Sequence, residues 1–434
     1  MGQSDEIRRK EGDTYGLGLC LDDDTLLGDG IVNDVEQHQP STDAGAAKWF
    51  DYGLQLLQSD SWEIAQGAFN RCLGSLPAND GLKARAYALR GYALEKLGNH
   101  EEAISSFRAA LDINTNTIEA WSGMACALCE MGQLEEALSH SERACQLRPS
   151  SPPLRYNLGN LQMRLGRSEE AIAALRETVD LNVGFYQAWV NLGAILADSG
   201  DYDEAIDALQ HARNIQPDSR RVFTNLGISL FRLKRWDEAA EALQRCIQLD
   251  PDVGRVYIVL SWVESYRGRN VEAMEALNQC IERDLETARA YLNLGMLHSR
   301  LGNSAQAIAA YMTSLQVRPG YSRVYPRLGR EYYRLGEHDE AEKTLRRAVS
   351  LREDQPDAWT MLAELAMKRG DLAEARTCLT AALSHDPLNV DANAALGILH
   401  ADAGERAEAL RCFRVLEEQD APQAPTLLGR IYPE

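Results

Sequence analysis

The sequence predicts an all-α solenoid of paired helices, on three observations. A thirty-four-residue period runs without insertion or deletion over residues 84–423. Inside each period, apolar residues recur at three-and-four spacing in two separate stretches, the pattern of two amphipathic helices. Small residues hold fixed places between the stretches, and glycine or proline punctuates their ends.

Residues 186–219 carry the pattern most plainly. Ala188, Leu192, Ile195 and Leu196 mark one helix face, Gly200 interrupts, Ala205, Ala208, Leu209 and Ala212 mark a second, and Pro217 stops it. Two short helices cannot bury both stripes alone, so each unit needs a neighbour. Units begin at Ala84, Ile118, Pro152, Tyr186, Arg220, Gly254, Ala288, Ser322, Pro356 and Val390. The twentieth position is alanine in all ten, from Ala103 to Ala409, and the eighth is small, as in Gly91, Gly193, Ser261 and Gly295. The fourth is often aromatic, as in Trp121, Trp189, Phe223 and Tyr257. Small residues at eight and twenty let two backbones approach while large ones fill the space around them.

The spacing carried by Trp189, Leu192, Gly193, Leu196, Ala205 and Pro217 resembles the tetratricopeptide repeat. The resemblance covers nearly nine-tenths of the chain. It implies a right-handed superhelical solenoid of about eleven helix-turn-helix repeats, whose first helices line a concave groove that binds peptides.

In chain order, residues 1–45 hold eleven Asp or Glu against three Lys or Arg, sustain no helical period and read as a largely disordered acidic arm. Tyr15, Leu17, Leu19 and Leu21 alternate there ahead of Asp22, Asp23 and Asp24. The first residues show no apolar core of a signal peptide. Residues 46–79 form a degenerate first repeat with Trp49, Gly53, Ala65 and Pro77 in register. Residues 80–83 read as a short linker, 84–423 as the ten contiguous repeats, and 424–434 as a partial helix capping the last one.

Composition narrows the function. The net charge of −20 argues against nucleic acid as a principal partner, because phosphates need clustered positive charge. No apolar run is long enough to enter a membrane as a helix. No phosphate loop, HExxH or GxSxG is present, so an enzyme is not expected. The nine cysteines fall mainly at core positions. Cys126 and Cys129 form one isolated CxxC, short of the four ligands zinc needs, so no metal or other cofactor is expected. An odd total without a pairing pattern suits a reducing, cytoplasmic setting.

Residues 220–355 reverse the overall charge, with twenty-one Lys or Arg against eighteen Asp or Glu. Through the resemblance, positions two, five, six, nine, twelve and thirteen face the groove. Arg232, Arg289, Arg300, Arg323, Arg327, Arg330 and Arg334 fall there, as do Trp262, Tyr266 and Tyr333. The last four arginines, spaced four, three and four, share one helix face. Arginine beside aromatic rings grips carboxylates and stacks on planar groups. Position six is asparagine at Asn157, Asn191, Asn225 and Asn293, a row able to hydrogen-bond any extended backbone. That row resembles the asparagine ladder in the superhelix of O-linked N-acetylglucosamine transferases, although the sequence carries no counterpart of their catalytic domain. The alternative for the arginines, a solvated face balancing acidic second helices, stays open.

Position eleven departs from the pattern at Glu264, expected to pair with Arg232 or Arg300, and at Gln162, His298 and His400, the histidines read as satisfied core groups. These features together predict a scaffold or adaptor holding an extended acidic peptide between Asn157 and Arg334, the partner being another protein or the chain's own acidic arm. A structural subunit of a multiprotein complex and a regulatory module for a separate enzyme are the alternatives.

Overall fold

The computed structural model of the chain describes residues 39–41, 44–77 and 81–433, and among these it has 23 helices and no strand. The acidic arm lies almost entirely outside the described residues. The chain divides into two compact units, Met1–Leu249 and Asp250–Glu434.

The first unit holds six helix pairs. They are α1 (Ala46–Gln58) with α2 (Trp62–Gly74), α3 (Gly81–Lys96) with α4 (His100–Ile113), and α5 (Ile118–Glu130) with α6 (Leu134–Leu147). Then follow α7 (Pro152–Arg164) with α8 (Ser168–Leu181), α9 (Tyr186–Ser199) with α10 (Tyr202–Ile215), and α11 (Arg220–Arg232) with α12 (Trp236–Leu249). The second unit holds five more pairs and a final helix. These are α13 (Gly254–Tyr266), α14 (Asn270–Glu282), α15 (Thr287–Arg300), α16 (Ser304–Val317), α17 (Val324–Arg334) and α18 (His338–Leu351). After them come α19 (Pro356–Arg369), α20 (Leu372–His385), α21 (Val390–Asp402), α22 (Arg406–Glu418) and the short α23 (Ala424–Ile431). Within each unit, every first helix packs on its own second helix, and each second helix packs on the next first helix.

Three local rules build each pair. The turn inside it needs a left-handed residue, supplied by glycine at position fifteen, as at Gly98 with φ 78° and Gly200 with φ 95°. In the Arg220 repeat, Lys234 stands there instead and is forced to φ 61°. Close approach is the second rule. A Cβ on Gly193 would sit 2.5 Å from Leu209 Cγ and 3.1 Å from the Ala205 carbonyl, so only glycine admits the second helix at that depth. The third rule uses the ring at position four. Trp121 and Trp189 donate from Nε1 to the carbonyls of Thr115 and Val183, at 2.7 and 2.8 Å, tying each first helix to the turn before it. Tyr325 does the same with its hydroxyl to Pro319, at 2.7 Å.

Acidic residues occupy the first turn of most second helices, as at Glu101, Glu135, Glu169 and Asp203, where they meet the positive end of the helix dipole. The expected linker needs correction. Gly81, Leu82 and Lys83 already belong to α3, which begins a turn earlier than the repeat register suggests. At the far end Leu427 and Ile431 of α23 are buried, and Leu427 lies over Gly397 of α21.

Candidate functional site

The candidate surface is built from first helices, and each unit carries its own. In the first unit α3 touches α5 and α9 touches α11; in the second, α13, α15, α17 and α19 touch in succession. First helices therefore lie side by side within each unit, as the groove geometry requires.

The asparagines sit deeper than the sequence suggests. Asn157, Asn191, Asn225 and Asn293 are all buried. Asn191 is 0% exposed; its amide donates to the Tyr156 hydroxyl at 3.2 Å and to Asn160 Oδ1 at 2.8 Å, and its oxygen accepts from Arg221 at 3.0 Å. Asn293 donates to the Arg289 carbonyl at 2.7 Å and accepts from Trp262 Nε1 at 2.9 Å. The expected open ladder is thus corrected: all four are buried, and Asn191 and Asn293 are bonded to neighbouring first helices. The reason is depth. Adjacent first helices close over position six, which a period read from sequence alone does not reveal. Asn225 is the exception in its bonding, because Ala194 stands where Asn160 serves Asn191, and its Nδ2 is buried without an acceptor.

The arginines of the second unit do reach the surface. Arg323 precedes α17 in right-handed helical geometry, and Arg327 donates back to its carbonyl at 2.7 Å, so the stripe is continuous across the helix start. Arg323 and Arg330 are exposed, and Arg330 lies 3.5 Å from Asp357 at a solvent-facing contact. Exposed pairs of this kind contribute at most about 1 kcal/mol and are easily exchanged. Positions twelve and thirteen link successive first helices into one row. The Arg300 guanidinium lies 5.5 Å over the Tyr266 ring, Arg334 donates to Ser299 Oγ at 3.1 Å, and Lys368 sits 4.1 Å over Tyr333. Tyr266 remains 53% exposed. Arg289 is held by Glu286 at 2.9 Å, and Trp262 is half-buried with its N–H engaged by Asn293. Arg232, in the first unit, is exposed at the end of α11.

Two buried carboxylates lie beneath this surface. Glu264 is bonded by Arg267 at 2.9 and 3.1 Å, so its partner is a residue of its own turn and not Arg232 or Arg300 as expected. Glu331 is 1% exposed and accepts from Ser299 at 2.6 Å, Ser304 at 2.7 Å and Arg334 at 2.8 Å. Glu331 escaped the sequence reading although a signal exists. It stands at position ten, which is apolar in most repeats and polar only here and at Ser229. Its charge, with burial foremost, pushes the neighbouring Tyr311 hydroxyl up to about 12.

Cys72, Cys126, Cys129, Cys145, Cys246, Cys280, Cys378 and Cys412 are buried. Burial raises Cys129, Cys145 and Cys280 to about 11, so these thiols stay protonated and unreactive. No cluster of three or more metal-ligating side chains occurs among the described residues. His400 is bonded to Glu405, but the Nδ1 of His298 is buried without a partner, so the reading of both as satisfied holds for His400 alone. No helix among the described residues is long and apolar enough to cross a membrane.

Comparison with known proteins follows the same architecture. Tetratricopeptide-repeat family models match residues 84–117, 125–166, 286–354 and 360–425. The model for the cilia and flagella-associated protein 70 C-terminal domain matches residues 152–289. None of the curated proteins matches the chain. Among solved structures, yeast Tom70 is similar at 14% identity, covering 89% of this chain and 94% of its own, with a TM-score of 0.48. The anaphase-promoting-complex hetero-tetramer Cut9–Hcn1 is similar at 17% identity, covering 90% and 84%, with a TM-score of 0.44. YrrB, described as a repeat protein of this type with an unusual peptide-binding site, is 23% identical over 43% of this chain and 93% of its own, with a TM-score of 0.39.

Proposed function

Because the chain belongs to the tetratricopeptide repeat family, whose members bind other proteins, we propose that it is a non-enzymatic interaction scaffold that holds an extended acidic segment on the second unit. The observation that carries this reading is the row Tyr266, Arg300, Arg334, Tyr333 and Lys368, continued along α17 by Arg330, Arg327 and Arg323. Such a row offers guanidinium forks for carboxylates beside flat rings for the intervening side chains. The Arg330–Asp357 pair along it is exposed, so an incoming carboxylate displaces it at little cost. The acidic stretch at Asp22, Asp23 and Asp24 gives the chain's own N-terminal arm the same chemistry, and it competes with a partner for the row. An odd number of cysteines, without a pairing pattern in the sequence and mostly buried, favours a reducing compartment such as the cytoplasm.

The alternative, a subunit embedded in a large assembly by other surfaces, is favoured by the exposed apolar residues away from the row, Val271, Leu372 and Leu388 among them. Partner recovery from the full chain and from the Arg323→Gln, Arg327→Gln, Arg330→Gln variant separates the two. A scaffold using this row loses its partner in the variant; an embedded subunit retains it.

A further inference from the structure

Position nine of a first helix faces position six of the next, and hydrogen bonds show it twice. Asn160 Oδ1 accepts from Asn191 at 2.8 Å in the first unit, and Trp262 Nε1 donates to Asn293 at 2.9 Å in the second. In the Pro356 repeat position nine is Glu364, and the same register sets Ala395 opposite it, a methyl group with nothing to donate. Glu364 is half-buried and has no hydrogen bond or ion pair among the described residues. Lys368, one turn further along α19, lies 4.1 Å over the Tyr333 ring instead. A carboxylate held partly out of water with no counter-charge gains a charge-assisted bond from a cation that reaches it.

The charge of the groove-facing positions reverses past α17. Where α17 has four arginines, α19 and α21 have Asp357, Glu364, Asp391 and Asp402, with Lys368 as the one basic residue. The three aspartates are engaged. Asp357 lies 3.5 Å from Arg330, Asp391 accepts from Gln423 at 3.4 Å, and Asp402 accepts from Arg430 at 2.7 and 3.0 Å. Of the four carboxylates, Glu364 alone is left over. Met361 and Ile398, on the same groove-facing stripes, are half-buried and offer an apolar bed beside it.

We propose that Glu364 receives a lysine or arginine side chain of a partner's segment held on the arginine row, so that the segment is acidic over α17 and basic over α19. This rests on the acidic-segment reading above and defines the segment's other end. The stem of the basic side chain lies on Met361 and Ile398, in the space that Ala395 leaves. First helices that touch, as α17 and α19 do, stand about 8–10 Å apart, and an extended chain advances about 3.3 Å per residue, so the cation lies about three residues from the nearest carboxylate. No Lys or Arg stands within ten residues of Asp22, Asp23 and Asp24 on either side. That stretch of the chain's own arm therefore lacks the second feature, and a partner segment that has it binds in preference.

Four labelled, end-capped hexapeptides titrated against the full chain by fluorescence anisotropy test this. They are Glu-Glu-Glu-Gly-Gly-Lys, the reverse order Lys-Gly-Gly-Glu-Glu-Glu, and the counterpart of each with glutamine in place of lysine. In one of the two orders the lysine peptide is expected to bind at least about threefold tighter than its glutamine counterpart. That preference is expected to vanish in Glu364→Gln and to persist in Asp391→Asn, whose carboxylate Gln423 already holds. Lysine and glutamine peptides that bind alike in both orders, a preference that survives in Glu364→Gln, or its equal loss in Asp391→Asn overturns the proposal and leaves the acidic-segment reading standing. Failure of all four peptides to bind overturns both.

Discussion

Arg334 donates to the buried Glu331 carboxylate at 2.8 Å, and two serine hydroxyls complete the acceptor's shell. Arg334 therefore belongs to the core of the second unit as much as to its surface. Arg334→Ala leaves Glu331 with its serines but without a counter-charge. It is expected to lower stability by about 1–3 kcal/mol, the lower part of that range being favoured because Arg334 is half exposed. Denaturant midpoints of Arg334→Ala and Arg330→Ala separate the roles, with Arg330→Ala expected within about 0.5 kcal/mol of the unaltered chain.

Asn191 provides the sharpest test of burial against display. Asn191→Ala removes a donor and an acceptor from Tyr156, Asn160 and Arg221, and is expected to cost about 2–3 kcal/mol in a urea titration. A change below about 0.5 kcal/mol would mean the amide contributes nothing to packing and would return it to the list of ligand-facing groups.

Lys234 carries backbone strain that its glycine counterparts avoid. Lys234→Gly is expected to stabilise the chain by up to about 1 kcal/mol, because the left-handed region is roughly 1–2 kcal/mol uphill for a residue with a Cβ and glycine returns part of that as unfolded-state entropy. The opposite sign holds at Gly193→Ala. There an added Cβ meets Leu209 and the Ala205 carbonyl, and the expected cost of about 1–3 kcal/mol exceeds the gain in helix propensity of about 1 kcal/mol. Melting temperatures of the two variants should move in opposite directions.

Burial lowers the pKa of His298 and of His140, so both rings favour the neutral form in the folded chain. The unfolded chain then binds more protons as pH falls below about 6.5, and stability falls with it; above that pH the effect is fully relieved. Replacing His298 by leucine, the residue at this position in four other repeats, is expected to flatten the acid side of the profile. Unfolding free energies measured at neutral and at mildly acid pH check it: an unchanged slope would remove His298 from the account.

The repeat register, the small residue at position eight and the ring at position four were legible because each obeys a short-range rule that recurs in all or most of the ten repeats. The depth of position six was not. Asn191 and Arg323 look equally groove-facing on a helical wheel, yet one is enclosed by the neighbouring first helix and the other is free of it, a difference set by how closely consecutive repeats stack. The buried Glu331 was visible as a break in position ten, but a break says only that a polar group is present. That Ser299, Ser304 and Arg334 converge on it required the neighbouring repeat to be in place.

Fluorescence anisotropy of a labelled oligo-glutamate peptide against the full chain tests the acidic-segment claim most directly. Binding is expected to weaken with rising salt, to exceed that of the oligo-glutamine counterpart, and to fall at least tenfold in the Arg323→Gln, Arg327→Gln, Arg330→Gln variant. Equal affinity for the two peptides, or an undiminished affinity in the folded variant, would contradict it.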